Sequence, residues 1–132
     1  MRGALDALGA ERIDHGVRCL EDPSLVARLV REGIPLTVCP LSNLKLRVVD
    51  RLDAHALGRL LEAGLLATVN SDDPAYFGGY LNQNLSRTFD ALGLGADAAH
   101  RLARNSLEAS FLEPSQRASL LDRLEAYVAR FR

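Results

Sequence analysis

The stretch LLATVNSDDPAYFGGYL, Leu65 to Leu81, decides the fold. An apolar run ends abruptly in Asn70-Ser71-Asp72-Asp73, then Pro74 and a Gly-Gly pair follow. A buried strand that stops in adjacent carboxylates poses a problem, because two ionised carboxylates repel each other. A cation, a proton or a simple exposed turn would each relieve it. Asp-Pro is common in turns, and Asp73 is also a plausible cap for a helix beginning at Pro74.

The same pattern recurs upstream. Glu11 to Gly16 (ERIDHG) reads as a short strand ending in Asp14-His15. Ile34 to Pro40 (IPLTVCP) reads as a second strand, with Ser42 and Asn43 just beyond its end. Between these two strands, EDPSLVARLVREG predicts a helix. Pro23 suits its first position, Leu25, Leu29 and Val30 are expected on one face, and Gly33 ends it. Between the second and third strands, Asp53 to Gly64 predicts a helix capped by Asp53. From about Asn82 to the C-terminus the chain reads as helical, broken near Gly93 to Gly95 and at Pro114. Its last segment is amphipathic, with Leu120, Leu121, Leu124, Val128 and Phe131 on the apolar side.

Strand, helix, strand, helix, strand is the pattern of parallel βα units. The strands are nearly continuous apolar runs, as expected where both faces of a sheet are covered. Parallel sheets carry their chemistry at the carboxyl ends of the strands. His15 and Pro40 are 25 positions apart, and Pro40 and Asp73 are 33 apart. A (β/α)₈ barrel of about 250 residues repeats at roughly this spacing. The 132 residues hold only three units. The expected fold is therefore α/β, the C-terminal part of a (β/α)₈ TIM barrel, as one partial-barrel domain over residues 1–132. An open three-stranded sheet is the alternative.

Composition narrows the function. Sixteen basic and seventeen acidic residues leave a net charge of −1, no footprint for nucleic acid or an anionic membrane. No apolar run approaches the ~20 residues of a membrane span. The N-terminus has no apolar core of a signal peptide. Cys19 and Cys39 are too few for a disulfide scaffold, so a reducing cytoplasm and buried spectator thiols are expected.

Among the strand-end groups, one aspartate of the Asp72–Asp73 pair is placed to bind a metal and orient its water, and its neighbour to accept from a substrate nitrogen. His15 precedes Gly16, which leaves room for a ligand; histidine serves either as a zinc ligand or in proton transfer. His55 and His100 fall within predicted helices and read as surface or packing residues. One His and one Asp do not complete a zinc shell of three or four protein ligands.

Taken together, ERIDHGV, CPLSNLKLRVV and NSDDPAYFGGYL resemble, in order, the last three strand-end motifs of the adenosine/adenine deaminases, zinc-dependent (β/α)₈ aminohydrolases. Each motif is weak alone; three in order at barrel spacing are specific. CPLSNLKLRVV followed by SDDPAYFGGYL is most similar to the branch acting on free adenine. Asp14 in RIDHG, where many relatives have Gly, is a minor departure.

The resemblance implies residue roles. Asp72 corresponds to the zinc-binding aspartate, and Asp73 to the residue that hydrogen-bonds a purine ring nitrogen. His15 corresponds to a histidine that orients the zinc-bound hydroxide without being a ligand. Ser42 and Asn43 are expected in the strand-end loop that lines the pocket, where they position other groups. The implied reaction is hydrolysis of adenine to hypoxanthine and ammonia. The family's other zinc ligands, an H-x-H pair and a further histidine, and its proton-donating glutamate have no counterpart in these 132 residues. Alone, the chain is expected to bind zinc weakly and not to turn over. Its bare strand edges imply association with an N-terminal barrel part or with itself. Deamination of adenosine, and a catalytically inactive binding or assembly remnant, are the alternatives.

Overall fold

Three parallel strands carry the site. In the computed structural model, which describes residues 1–131, they are β1 (Ile13–Asp14), β2 (Leu36–Val38) and β3 (Ala67–Val69), in spatial order β1-β2-β3. Ile13 is level with Leu36, and Leu36 with Ala67. The ladder continues past the formal ends: the His15 amide donates to Thr37 O at 2.9 Å, and the Asn70 amide to Val38 O at 2.8 Å. His15 and Asn70 are thus fixed to β2 by backbone bonds. Leu36, Val38, Ala67 and Val69 form one fully buried face of the sheet; on the other face Thr68 is buried and Thr37 is half-buried. Among the described residues, β1 and β3 each have one paired neighbour.

The helices begin and end where local chemistry dictates. A first helix, α1 (Arg2–Leu8), had no counterpart in the reading of the sequence. Helix α2 spans Pro23–Glu32, with Pro23 in its first turn and Gly33 left-handed at its end. Asp22 caps it, accepting from the Ser24 and Leu25 amides at 3.1 and 3.0 Å. Ser24, then Arg2 and the Leu25 amide, hold the Asp22 carboxyl down to about 2. Leu25 and Leu29 are buried, but Val30 is 41% exposed and Val26 turns inward instead. At 100° per residue, Val30 lies too far round the helix from Leu25 to share its face.

After β2 the chain departs twice from the expected elements. Pro40–Lys45 forms a short helix, α3, with Pro40 in its first turn, so Ser42 and Asn43 are helical rather than in a loop. The helix expected over Asp53–Gly64 starts later. Leu52–Ala54 makes a single 3-10 turn, and α4 runs Leu57–Glu62. Asp53 is occupied by Arg51. The free amide at the start of α4 is instead satisfied by His55, whose Nδ1 accepts from Leu57 N at 3.1 Å. His55 therefore lies outside any helix. Leu57, Leu60 and Leu61 of α4 join the core.

Beyond the short α5 (Pro74–Phe77) come α6 (Leu81–Leu92), α7 (Ala96–Glu108) and α8 (Pro114–Val128), broken where Gly93, Gly95 and Pro114 predict. Helix α7 lies against β3, and buried Asn105 Nδ2 donates to Ala67 O at 2.7 Å. Helix α8 packs on α7 through Glu125, which receives His100 and Arg104, each at 3.0 Å. Its apolar side is only half-buried: no α8 residue is fully buried, and Phe131, expected on that side, lies beyond the end of the helix and is 71% exposed.

Gly16 shows how tightly the first strand end is built. It has φ 71°, and a Cβ there would stand 2.7 Å from Leu36 Cδ2 in the core. Gly16→Ala combines a left-handed backbone cost with a core clash, so it should destabilise by about 2–3 kcal/mol. Urea unfolding of the two chains measures this.

Candidate metal centre at the strand ends

His15 leaves β1 in a left-handed conformation, φ 59°, followed by left-handed Gly16. This pair of residues turns the chain off the sheet at once and leaves the imidazole on the rim. Asp72 is also left-handed, φ 57°. Such backbone is uncommon outside glycine, though Asp and His tolerate it better than most residues, and it concentrates at functional sites. The two side chains converge: His15 Nε2 lies 3.6 Å from Asp72 Oδ2.

The aspartates divide the roles considered for them. Asp72 Oδ1 accepts the Asp73 amide at 2.9 Å, which fixes the carboxylate and leaves Oδ2 toward His15. Asp73 caps α5, its Oδ1 accepting the Tyr76 amide at 3.0 Å. The helix-cap role belongs to Asp73, while Asp72 faces the rim.

Cys39 joins them. One ligand atom from each of His15, Cys39 and Asp72 lies within 4.8 Å of the other two. Burial, then the charges of Asp72 and Asp14, push the Cys39 thiol up to about 12, and its Sγ donates to Thr37 O at 3.5 Å. Those surroundings favour the neutral thiol over the thiolate. The three groups open on a shallow depression of about 300 Å³ rimmed by Asp14, His15, Thr37, Cys39, Asn70 and Asp72. Every strand contributes to this rim, and Thr37 Oγ1 donates to Asp14 Oδ1 at 2.7 Å across β2 and β1.

Asn43 and Ser42 separate. Asn43 is buried and reaches His15, its Nδ2 lying 3.4 Å from Nδ1. Ser42 is fully buried, its Oγ has no hydrogen-bond partner, and it lines neither depression beside His15. His55, which the sequence placed in a helix, lies 3.1 Å from Asn43 Oδ1 through Nε2. Neither His55 nor Cys39 carried a local signal. Cys39 shares the strand-end position before Pro40, the one clue available.

As a fit for a divalent metal, the rim supplies one fixed anionic oxygen, an imidazole beside it and a neutral thiol. That is part of a coordination shell and not the whole. A larger apolar groove of about 480 Å³ lies elsewhere, between α6, α7 and Val69 of β3. Leu85, Phe89 and Leu102 line it, with Asp90 as its single carboxylate and no histidine or cysteine in its lining.

The sequence model of adenosine deaminase matches residues 1–127. The chain belongs to the adenosine deaminase family. It is 62% identical over 128 residues to an adenine deaminase of Albidiferax ferrireducens, covering 97% of this chain and 37% of that protein. It is 60% identical over 130 residues to an adenine deaminase of Geotalea uraniireducens, covering 98% and 37%. The chain thus spans about 37% of the length of these family members.

Among solved structures, adenine deaminase from Arthrobacter aurescens superposes with a TM-score of 0.93 at 49% identity, over 97% of this chain and 39% of that one. An amidohydrolase from Burkholderia ambifaria with bound Zn shares the fold, with a TM-score of 0.81 at 24% identity, over 98% and 38%. The fold is three βα units and terminal helices of the family's TIM barrel.

Proposed function

We propose that this chain supplies three strand ends to a zinc-dependent purine aminohydrolase that converts adenine to hypoxanthine and ammonia. One observation carries the reading: His15 and Asp72, which follow separate strands, converge to 3.6 Å on a common rim. Relatives named adenine deaminase, at about 60% identity, support the free base over the nucleoside.

Asp72 would hold the metal, with Oδ2 the oxygen left free by the bond that Oδ1 accepts from the Asp73 amide. Bound zinc supplies Lewis-acid activation of water at neutral pH. His15 stands beside that position as a hydrogen-bonding group and charge stabiliser. Asp73, exposed at the head of α5, offers its carboxylate to a purine ring nitrogen. Gly79 brings the following segment close over α3, where a Cβ would stand 2.5 Å from Leu41 Cδ1. The remaining zinc ligands and the proton-donating carboxylate come from the rest of the barrel, which also covers the single-sided edges of β1 and β3. The setting is a reducing cytoplasm. No helix among the described residues is long and apolar enough to cross a membrane.

The 132-residue chain alone is then inactive. One carboxylate makes a weak zinc site, and the proton donor is missing. Purified chain with adenine and added zinc should leave the purine absorbance unchanged. Adding the upstream barrel segment in trans should start its decay. Robust turnover by the chain alone overturns the proposal, and so does a completed barrel that deaminates adenosine but not adenine.

A further inference from the structure

We infer that His55 is a positioning residue for His15: acting through Asn43, it fixes the His15 proton on Nε2, the nitrogen facing Asp72. The relay is anchored by a group that can only donate. The Leu57 amide is the first of α4 and has no acceptor within its own helix. It donates to His55 Nδ1 at 3.1 Å. A neutral imidazole has one donor and one acceptor nitrogen, so the His55 proton sits on Nε2.

Each later bond takes its direction from the one before. His55 Nε2 lies 3.1 Å from the Asn43 side chain, which must present its carbonyl oxygen there. The other end of that carboxamide is then its NH₂, and it faces His15 Nδ1 at 3.4 Å. His15 Nδ1 accepts, which leaves the proton on Nε2, 3.6 Å from Asp72 Oδ2. A backbone amide outside the site thus sets the polarity of a side chain inside it. His55 is 4% exposed and Asn43 2%, so water does not compete between them; only the His15 end of the relay is open to solvent. Burial, and then the charge of Arg59, also pull the His55 pKa down to about 4, which keeps its Nδ1 free to accept.

The relay determines what His15 shows to the rim. With Nδ1 engaged, Nε2 presents an N–H and not a lone pair. Among the three groups at the rim, that favours Asp72 as the metal's anchor and His15 as a donor beside it. This last step rests on the metal reading proposed above. The proton position does not, since every bond in the relay lies within this chain.

Nitrogen-15 NMR of the imidazoles in the full 132-residue chain tests it, at about pH 8 where histidine is neutral. Neutral His15 should show pyrrole-like Nε2 and pyridine-like Nδ1. The expected excess over the other tautomer is roughly tenfold, the ratio that one net hydrogen bond sustains. His55→Gln keeps a donor toward Asn43 and should keep that pattern. His55→Leu removes the donor, frees the Asn43 carboxamide to turn over, and should collapse the excess to a mixture. A wild-type His15 protonated on Nδ1 overturns the inference whether or not either variant folds. Identical His15 signals in wild type and folded His55→Leu overturn it as well, leaving His55 as a cap for α4 only. Neither readout uses zinc or adenine, so failure here and failure of the deaminase reading are distinct results.

Discussion

Asp72→Asn should abolish zinc-dependent deamination in the completed barrel, by more than about 100-fold, and leave the fold nearly untouched. The lower bound comes from metal sites in general, where losing a group that merely supports a ligand already costs about 10–100-fold. Asparagine is the informative replacement. It tolerates the left-handed backbone that Asp72 adopts, and its carbonyl oxygen can still accept the Asp73 amide. What it lacks is the anionic Oδ2 directed at His15. Stability should therefore change by no more than about 0.5 kcal/mol. Alanine would confuse the result, because it adds a left-handed backbone cost of about 1–2 kcal/mol and removes the acceptor. The measurements are metal content per completed barrel, loss of adenine absorbance, and urea unfolding of the isolated chain. A barrel carrying Asp72→Asn that holds zinc and turns over at the wild-type rate would return Asp72 to being part of a turn.

The local signals were the legible ones. Pro23 and Gly33 bracket α2 as predicted because starts and stops act within a few residues of themselves, whereas the Asp22 cap, equally local, was not among the predicted features. The three strands and the gaps at Gly93 and Pro114 follow from the same short-range rules. His15 and Asp72 stand out because strand ends in parallel sheets meet at one rim, a long-range consequence of a short-range pattern.

What stayed hidden depends on partners distant in the chain. Asp53 looks like a cap, yet Arg51 takes it and His55 satisfies α4 instead. Asn43 bridges His15 and His55 across 28 and 12 positions, respectively, which no periodicity encodes. Cys39 reads as a small core residue and is one; its nearness to His15 and Asp72 appears only once β2 lies between β1 and β3.

Acid should expose the same buried histidine in a second way. As pH falls from about 6.5 to about 4, His55 alone should remove about 3 kcal/mol of folding stability. In the unfolded chain its imidazole takes up a proton near pH 6.5, whereas in the folded chain burial and Arg59 delay this to about 4. Between those values the unfolded state binds more protons. Stability therefore drops as pH decreases through that window, is unaffected by His55 above it, and levels off below it. The lowered carboxylates act in a different range. Asp22 stays ionised down to about 2, so its cap and its Arg2 pair fail only in stronger acid. His55→Gln has nothing to protonate at that position. Urea unfolding at about pH 7.5 and about pH 4.5 should show a loss smaller by roughly 2–3 kcal/mol in His55→Gln than in wild type. Protonating Nδ1 also ends its acceptance of the Leu57 amide, so the start of α4 and the Asn43 contact should loosen together. Equal acid losses in the two proteins would mean that His55 is solvated or already charged in the folded chain, and the burial that orders this corner would have to be redrawn.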